Sequence, residues 1–258
     1  GDEKAFKSLL NYTVDRHYPE IKNSNNIALE LLKIVIKKQC DLVTNWMRVG
    51  FIHGVMNTDN MAISGESIDY GPCAFMDNYD LNTVFSSIDT NGRYAYGNQP
   101  IITKWNLARF AETLLPYIDK NKDEAIKITT NAINEFDSIY EKKWNNMMRE
   151  KLGLLEKKDG DKKIILDLLN WMENNKADYT NTFLYLLEDD FKNNKIYEKE
   201  TFIKWYKKWK NRTNNESLLL MRKSNPSLIP RNHIVENVLK MAEQNDLKPL
   251  NELLKLVK

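Results

Sequence analysis

Cysteine is nearly absent. The two in this chain, Cys40 and Cys73, are too few for a disulfide framework or a cysteine-built zinc cluster. Cys40 falls in an apolar helical run and reads as core; Cys73 reads as packing. Of three histidines, His17 and His233 have no Cys or carboxylate at metal-ligand spacing and read as structural. Glycine is scarce too, with nine residues, nowhere clustered into a loop that would cradle phosphate. No apolar run approaches the ~20 residues that a membrane-spanning helix needs. A net charge of +2 provides no one-signed field to attract nucleic acid or an acidic membrane. No signal peptide, internal repeat or clear linker is visible, only a soft division near Asp119.

What remains is a globular, mainly helical pattern. At 258 residues with 42% hydrophobic content, the chain is long enough to bury a large core. Apolar residues recur at helical spacing over residues 3–17, 26–49, 105–118, 122–152, 164–174, 180–191, 198–212, 217–222 and 230–258, the last in two pieces around Asp246. Residues 26–49 are apolar on nearly all sides, as buried helices are. The 122–152 pattern is long enough to bend or break near Ile139. Residues 75–100 have turn-formers and aromatics but no period, and read as a long ordered loop; loops of that length in compact domains are commonly functional. Lys204, Lys207 and Lys208 interleave with Trp205 and Trp209 as on nucleic-acid surfaces, but the two indoles are four apart and fit a packed amphipathic helix better.

The chemistry concentrates in residues 50–72. Met61-Ala62-Ile63-Ser64 and Ser67-Ile68-Asp69-Tyr70 alternate apolar with small or polar residues around Gly65-Glu66, a two-residue hairpin signal. That register pairs Ser64 with Ser67 and Met61 with Tyr70, and puts Asn60, Ala62 and Asp69 on one face. Asn60 and Asp69 then become diagonal neighbours about 5–8 Å apart. An amide oxygen and a carboxylate are hard ligands of the kind Mg²⁺ takes beside phosphates. The plainer reading is an Asn capping a strand and an Asp closing a turn.

Kinase catalytic loops place a His, a base Asp two residues on, a metal-binding Asn five further, and a second metal Asp before Phe-Gly on a following strand. His53 plus seven is Asn60, and Asp69-Tyr70-Gly71 stands in the second position. The base slot holds Val55, which accepts no proton. His53 is expected to order the loop backbone by hydrogen bonding. Arg93 either contacts a phosphate or anchors the long loop.

His53-Gly54-Val55-Met56-Asn57-Thr58-Asp59-Asn60-Met61, Ile68-Asp69-Tyr70-Gly71-Pro72, Gly92-Arg93-Tyr94-Ala95-Tyr96, Asn98-Gln99-Pro100 and Trp105-Asn106-Leu107 together resemble the selenoprotein O family. Arg16-His17-Tyr18-Pro19-Glu20 and the region from Leu228 to Leu256 extend the resemblance over most of the chain. The resemblance implies the C-lobe of a protein kinase-like fold, with a small β-hairpin at the metal site and an additional helical C-terminal region. Residues 1–118 would form the core with catalytic loop and hairpin, and 119–258 the helical remainder of the lobe. It implies a protein adenylyltransferase that moves AMP from ATP to Ser, Thr or Tyr hydroxyls of protein substrates. Asn60 and Asp69 would hold Mg²⁺ or Mn²⁺ and the nucleotide, with Asp59 as the base; a brace for the loop is the other reading of Asp59. The alternative activity is a catalytically inert pseudokinase serving as an ATP-binding or scaffold module. The family's nucleotide-gripping N-lobe and terminal Cys or selenocysteine have no counterpart here. The expectation is therefore a C-terminal fragment that binds ATP weakly and does not turn over alone. The family also implies a cytoplasmic protein, mitochondrial in a eukaryote.

Overall fold

The computed structural model describes residues 2–191 and 194–257; residues 1, 192, 193 and 258 lie outside it. It is mainly α. The helices are α1 (Glu3–His17), α2 (Ile27–Val49), α3 (Gln99–Ile118), α4 (Lys122–Lys151), α5 (Asp161–Asn175), α6 (Tyr179–Glu188), α7 (Glu200–Lys210), α8 (Asn215–Ser224), α9 (Asn232–Glu243) and α10 (Lys248–Leu256). Two short strands, β1 (Phe51–Ile52) and β2 (Ala74–Phe75), pair antiparallel with Phe51 opposite Phe75. Among the described residues no helix is long and apolar enough to cross a membrane.

The chain divides into two compact units, each assembled from separate stretches. The first comprises Gly1–Val43, Met56–Tyr70 and Gln99–Lys143. Its core is aliphatic, with Leu31, Leu32, Val35 and Ile36 of α2 against Leu107, Ala111 and Leu114 of α3 and Ile133 and Phe136 of α4. Cys40 belongs to this core, and burial pushes its thiol pKa up to about 12. Asn26 begins α2 by accepting from the Leu29 N–H at 3.0 Å, while its amide donates to the Ile118 carbonyl at 2.8 Å. One side chain thus caps a helix start and takes an end carbonyl of another.

The second unit comprises Thr44–Val55, Gly71–Asn98 and Trp144–Lys258. Its core is aromatic and methionine-rich, including Met147, Met172, Tyr179, Phe183 and Trp171. Trp205 and Trp209 of α7 are buried, stacked 6.0 Å apart. Their indole N–H groups donate to the Ile164 and Leu152 carbonyls, each at 2.8 Å. The basic–aromatic run is therefore a packed helix with its indoles inward.

Helix ends lie within three residues of the sequence pattern except at the start of α3. Helix α3 begins at Gln99, six residues before the expected start, because Pro100 occupies the first turn, where a missing N–H costs nothing. The 122–152 pattern is one uninterrupted helix. Residues 76–95 are turns and short bends, as expected of an ordered loop, and the stretch expected to run to residue 100 ends earlier in a 3-10 turn at Tyr96–Asn98 and the start of α3. Tyr79 and Tyr96 are buried in it, and the Tyr96 hydroxyl donates to the Met47 carbonyl at 2.7 Å.

Candidate active site

Residues 56–70 belong to the first unit, and their shape comes from neighbours remote in sequence. Thr58–Asn60 form one 3-10 turn, closed by the Asn60 N–H on the Asn57 carbonyl at 3.0 Å. Met61 then forms an isolated antiparallel bridge with Ser67. The expected two-residue hairpin, with Ser64 opposite Ser67 and Met61 opposite Tyr70, does not form. Ala62 to Gly65 make a wider turn, with the Gly65 N–H on the Ala62 carbonyl at 3.0 Å.

The reason lies in who takes the carbonyls. The Gln39 amide of α2 donates to the Ala62 carbonyl at 2.6 Å, and the Tyr18 hydroxyl donates to the Ile63 carbonyl at 2.6 Å. The Asn106 amide of α3 donates to the Met56 carbonyl at 2.9 Å. The Gln39 amide thus takes the Ala62 carbonyl, which the expected ladder would have used, and Tyr18 and Asn106 fix the backbone on either side of it. The tip also packs tightly on α2: a Cβ on Gly65 (φ +79°) would lie 2.8 Å from Lys38 Cβ.

The bridge places the three candidate residues within two positions of its ends. Asp59 is exposed and Asn60 half-buried in the 3-10 turn before Met61; Asp69 is exposed two residues after Ser67. Asp69 adopts a left-handed conformation at φ +55°, which Asp tolerates better than most L-residues. Among the described residues there is no group of three or more His, Cys, Asp or Glu able to hold a metal ion. A two-residue oxygen set of one amide and one carboxylate fits Mg²⁺, which binds through one or two protein ligands and completes its shell with phosphate and water.

In the second unit, His53 is fully buried, its ring 5.4 Å from Trp46 and 6.4 Å from Phe51. Its Nδ1 accepts the Val55 N–H at 3.4 Å, the backbone-ordering role expected of it. Gly54 follows at φ +85°, and a Cβ there would sit 3.0 Å from the Pro72 carbonyl oxygen. Only glycine suits that point. Half-buried Val55 fills the usual base slot with hydrocarbon. Burial raises the Cys73 thiol above its ordinary pKa, consistent with packing. The Asp89 carboxylate accepts the Arg93 and Tyr94 N–H groups, each at 2.8 Å, while the Arg93 guanidinium lies over the Tyr94 ring. The Arg93 backbone thus anchors the loop and its side chain is exposed.

Sequence reading missed the groups that hold the loop: Tyr18, Gln39 and Asn106. The available signal was a polar residue on the inward side of an apolar helix, as Gln39 is in α2. Lys151 was missed as well. It is fully buried, with Nζ 4.0 Å from the Phe183 ring centre and 5.0 Å from that of Tyr179.

A family model described as protein adenylyltransferase SelO matches residues 1–258. A protein nucleotidyltransferase YdiU of Pelagibacter ubique is 57% identical over 256 residues, covering 97% of this chain and 53% of that protein. Proteins of the same name from Alcanivorax borkumensis and Clostridium perfringens are 52% and 51% identical, covering 98% and 100% of this chain and 54% of each relative. The chain spans about half the length of the curated relatives it matches.

Proposed function

Since the chain belongs to the protein adenylyltransferase SelO family, we propose that it carries the catalytic loop of an enzyme that transfers AMP from ATP to Ser, Thr or Tyr hydroxyls of proteins. The observation that carries this reading is the 61–67 bridge with Asp59 and Asn60 on one side and Asp69 on the other, inside a family match of full length. We assign the chain to the C-lobe of a kinase-like fold. Residues 1–118 supply the catalytic core and 119–258 the helical remainder of the same lobe.

Asn60 offers its amide oxygen and Asp69 its carboxylate to a divalent cation, Mg²⁺ or Mn²⁺, that accompanies the nucleotide. Such an ion supplies neutralisation of phosphate charge. Asp59 takes the proton of the accepting hydroxyl as that oxygen bonds to the α-phosphorus. The bond from the α-phosphorus to its bridging oxygen breaks, and pyrophosphate leaves. Gln39, Tyr18 and Asn106 keep the loop backbone fixed, so Asp59 need not be reorganised during the step.

The test uses the complete protein that contains this chain, given ATP labelled on the α- or the γ-phosphate. Retention of only the α-label on protein, with a mass increase of one AMP, is the expected result, and Asp69→Ala abolishes it. Retention of the γ-label would make the protein a phosphotransferase. Undiminished labelling by Asp69→Ala would remove Asp69 from the metal site.

A further inference from the structure

In the second unit, exposed hydrocarbon concentrates on the last two helices. Leu239 of α9, Leu247 at the turn, Leu254 and Leu256 of α10, and Val257 just after it are all exposed. Helix α9 buries Val238 alone, and α10 buries none of its side chains.

The turn between these helices is specified by its residues. Asn245 follows α9 at a left-handed φ of +64°, which Asn tolerates. The Asn245 and Asp246 N–H groups donate to the Ala242 and Met241 carbonyls at 2.9 and 3.0 Å, the paired bonds of a Schellman stop. The Asp246 carboxylate accepts the Lys248 N–H at 3.0 Å, and Pro249 lies in the first turn of α10. Helix α10 thus has a fixed start and packs on α9. Leu250 and Leu253 become half-buried, whereas Leu247, Leu254 and Val257, seven and three residues apart and so on one stripe, stay exposed. A nine-residue helix is marginal alone and takes its stability from packing an apolar face. Helix α9 covers only part of that face.

Charge and size narrow the choice of cover. Residues 232–257 carry three Lys against four Asp and Glu, so an anionic bilayer exerts no net attraction. Five part-exposed aliphatic side chains offer roughly a few hundred Å², short of the about 800 Å² that each partner gives a standard interface. A second copy or a separate partner must also offset lost translational and rotational freedom, whereas a segment of the same polypeptide does not. About half of each curated relative lies outside the part that this chain matches.

We propose that the apolar side of the α9–α10 hairpin seats a segment of the same polypeptide lying outside these 258 residues. The segment lays apolar side chains along Leu247, Leu254 and Val257 and completes the packing of α10. Neither the metal nor the transfer reaction enters, and the test reads no activity.

Hydrogen exchange is compared by mass spectrometry between this chain and the complete protein that contains it. In the complete protein the amides of residues 250–257 are expected to exchange at least about ten-fold more slowly. Leu254 is 45% exposed, and Leu254→Gln keeps a good helix former there. In the chain alone that variant should leave exchange within about two-fold of the parent. In the complete protein it should remove most of the added protection, both in α10 and in a stretch outside these residues. Lys255→Gln, on the polar side of α10, is the control and should leave the protection intact. Equal exchange of α10 in the chain and the complete protein overturns the proposal. Added protection that Leu254→Gln leaves intact, or that Lys255→Gln removes equally, overturns it as well. So does protection of α10 in the chain alone that rises with concentration, which would make the occupant a second copy.

Discussion

The Tyr18 hydroxyl donates to the Ile63 carbonyl at 2.6 Å across 45 residues of sequence. It joins the residue that follows α1 to the turn beyond Asp59 and Asn60. Tyr18 is buried, so its removal strands a carbonyl in a place water reaches poorly. Tyr18→Phe should cost about 1 kcal/mol by urea denaturation, the net worth of one such bond. The loop should respond more than the whole, with amides of residues 62–65 exchanging faster than in the parent. Unchanged exchange there would mean that Gln39 and the Met61–Ser67 bridge hold the turn without Tyr18.

Gly54 makes a separate demand. At φ +85° with the Pro72 carbonyl oxygen 3.0 Å from a would-be Cβ, Ala meets both backbone strain and a close contact. Gly54→Ala is expected to lose about 1–3 kcal/mol, measured as a lowered thermal midpoint. Gly160→Ala is a useful control: its φ is also positive, at +95°, but a Cβ there meets nothing within 4 Å. A loss at Gly54 no larger than at Gly160 would assign the whole effect to backbone strain.

The helices were legible because their apolar periodicity is local and long. The residues at α1, α2 and α4 repeat the pattern for four or more turns, so a boundary error of a residue or two does not matter. The loop register was not legible, because it depends on bonds spanning 23, 45 and 50 residues. Gly65 does take a positive φ, but the hydrogen-bonded turn runs from Ala62 to Gly65, two residues before the expected centre. The turn was drawn too tight because nothing near it in sequence reveals that Gln39 and Tyr18 claim the Ala62 and Ile63 carbonyls. Asn60 and Asp69 could be singled out by residue type and spacing, whereas the left-handed backbone of Asp69 could not.

Lys151 has the clearest alkaline signature. Burial first, then the Arg48 charge, hold its pKa well below the ordinary lysine value. A cation over aromatic rings gains up to about 2 kcal/mol, less than the several kcal/mol needed to desolvate an unpaired ammonium, so the neutral amine is favoured. The folded pKa lies below the unfolded one, so protonation favours the unfolded chain. The cost is present at neutral pH and fades as pH rises toward about 10.4, the unfolded value. Lys151→Met keeps the volume without the charge and should raise the thermal midpoint by about 2–4 °C at neutral pH. That advantage should shrink by about pH 9.5; an advantage independent of pH would show that packing, not protonation, produces it.

Asp161 gives the opposite window. It accepts from Arg212 Nη1 at 2.6 Å, Arg149 Nε at 3.1 Å and the Lys158 N–H at 3.0 Å. Burial would raise its pKa, but these three donors outweigh burial and hold it below the usual carboxylate range. A depressed acid contributes stability above its unfolded pKa, and that stability is lost as pH falls through the folded value. Asp161→Asn should therefore cost about 3 kcal/mol at neutral pH, because the two poorly exposed guanidiniums lose their carboxylate and keep only carbonyl partners. The difference from the parent should narrow below about pH 4, and a constant gap down to pH 2 would show that Asp161 does not account for the acid sensitivity.

Asp69 separates backbone from chemistry. Its left-handed φ of +55° is tolerated by Asp and Asn and disfavoured for Ala. Asp69→Asn should leave stability unchanged, whereas Asp69→Ala should lose about 1 kcal/mol, the lower range for a non-glycine residue held there. Both variants lack the carboxylate, so both should lose Mg²⁺-dependent AMP transfer in the complete protein, and to a similar extent. If Asp69→Asn retained transfer while Asp69→Ala lost it, the residue would serve the loop's shape and the metal would have to be held by other groups. If both lost transfer and only the alanine variant melted earlier, charge would be the functional property and conformation the structural one.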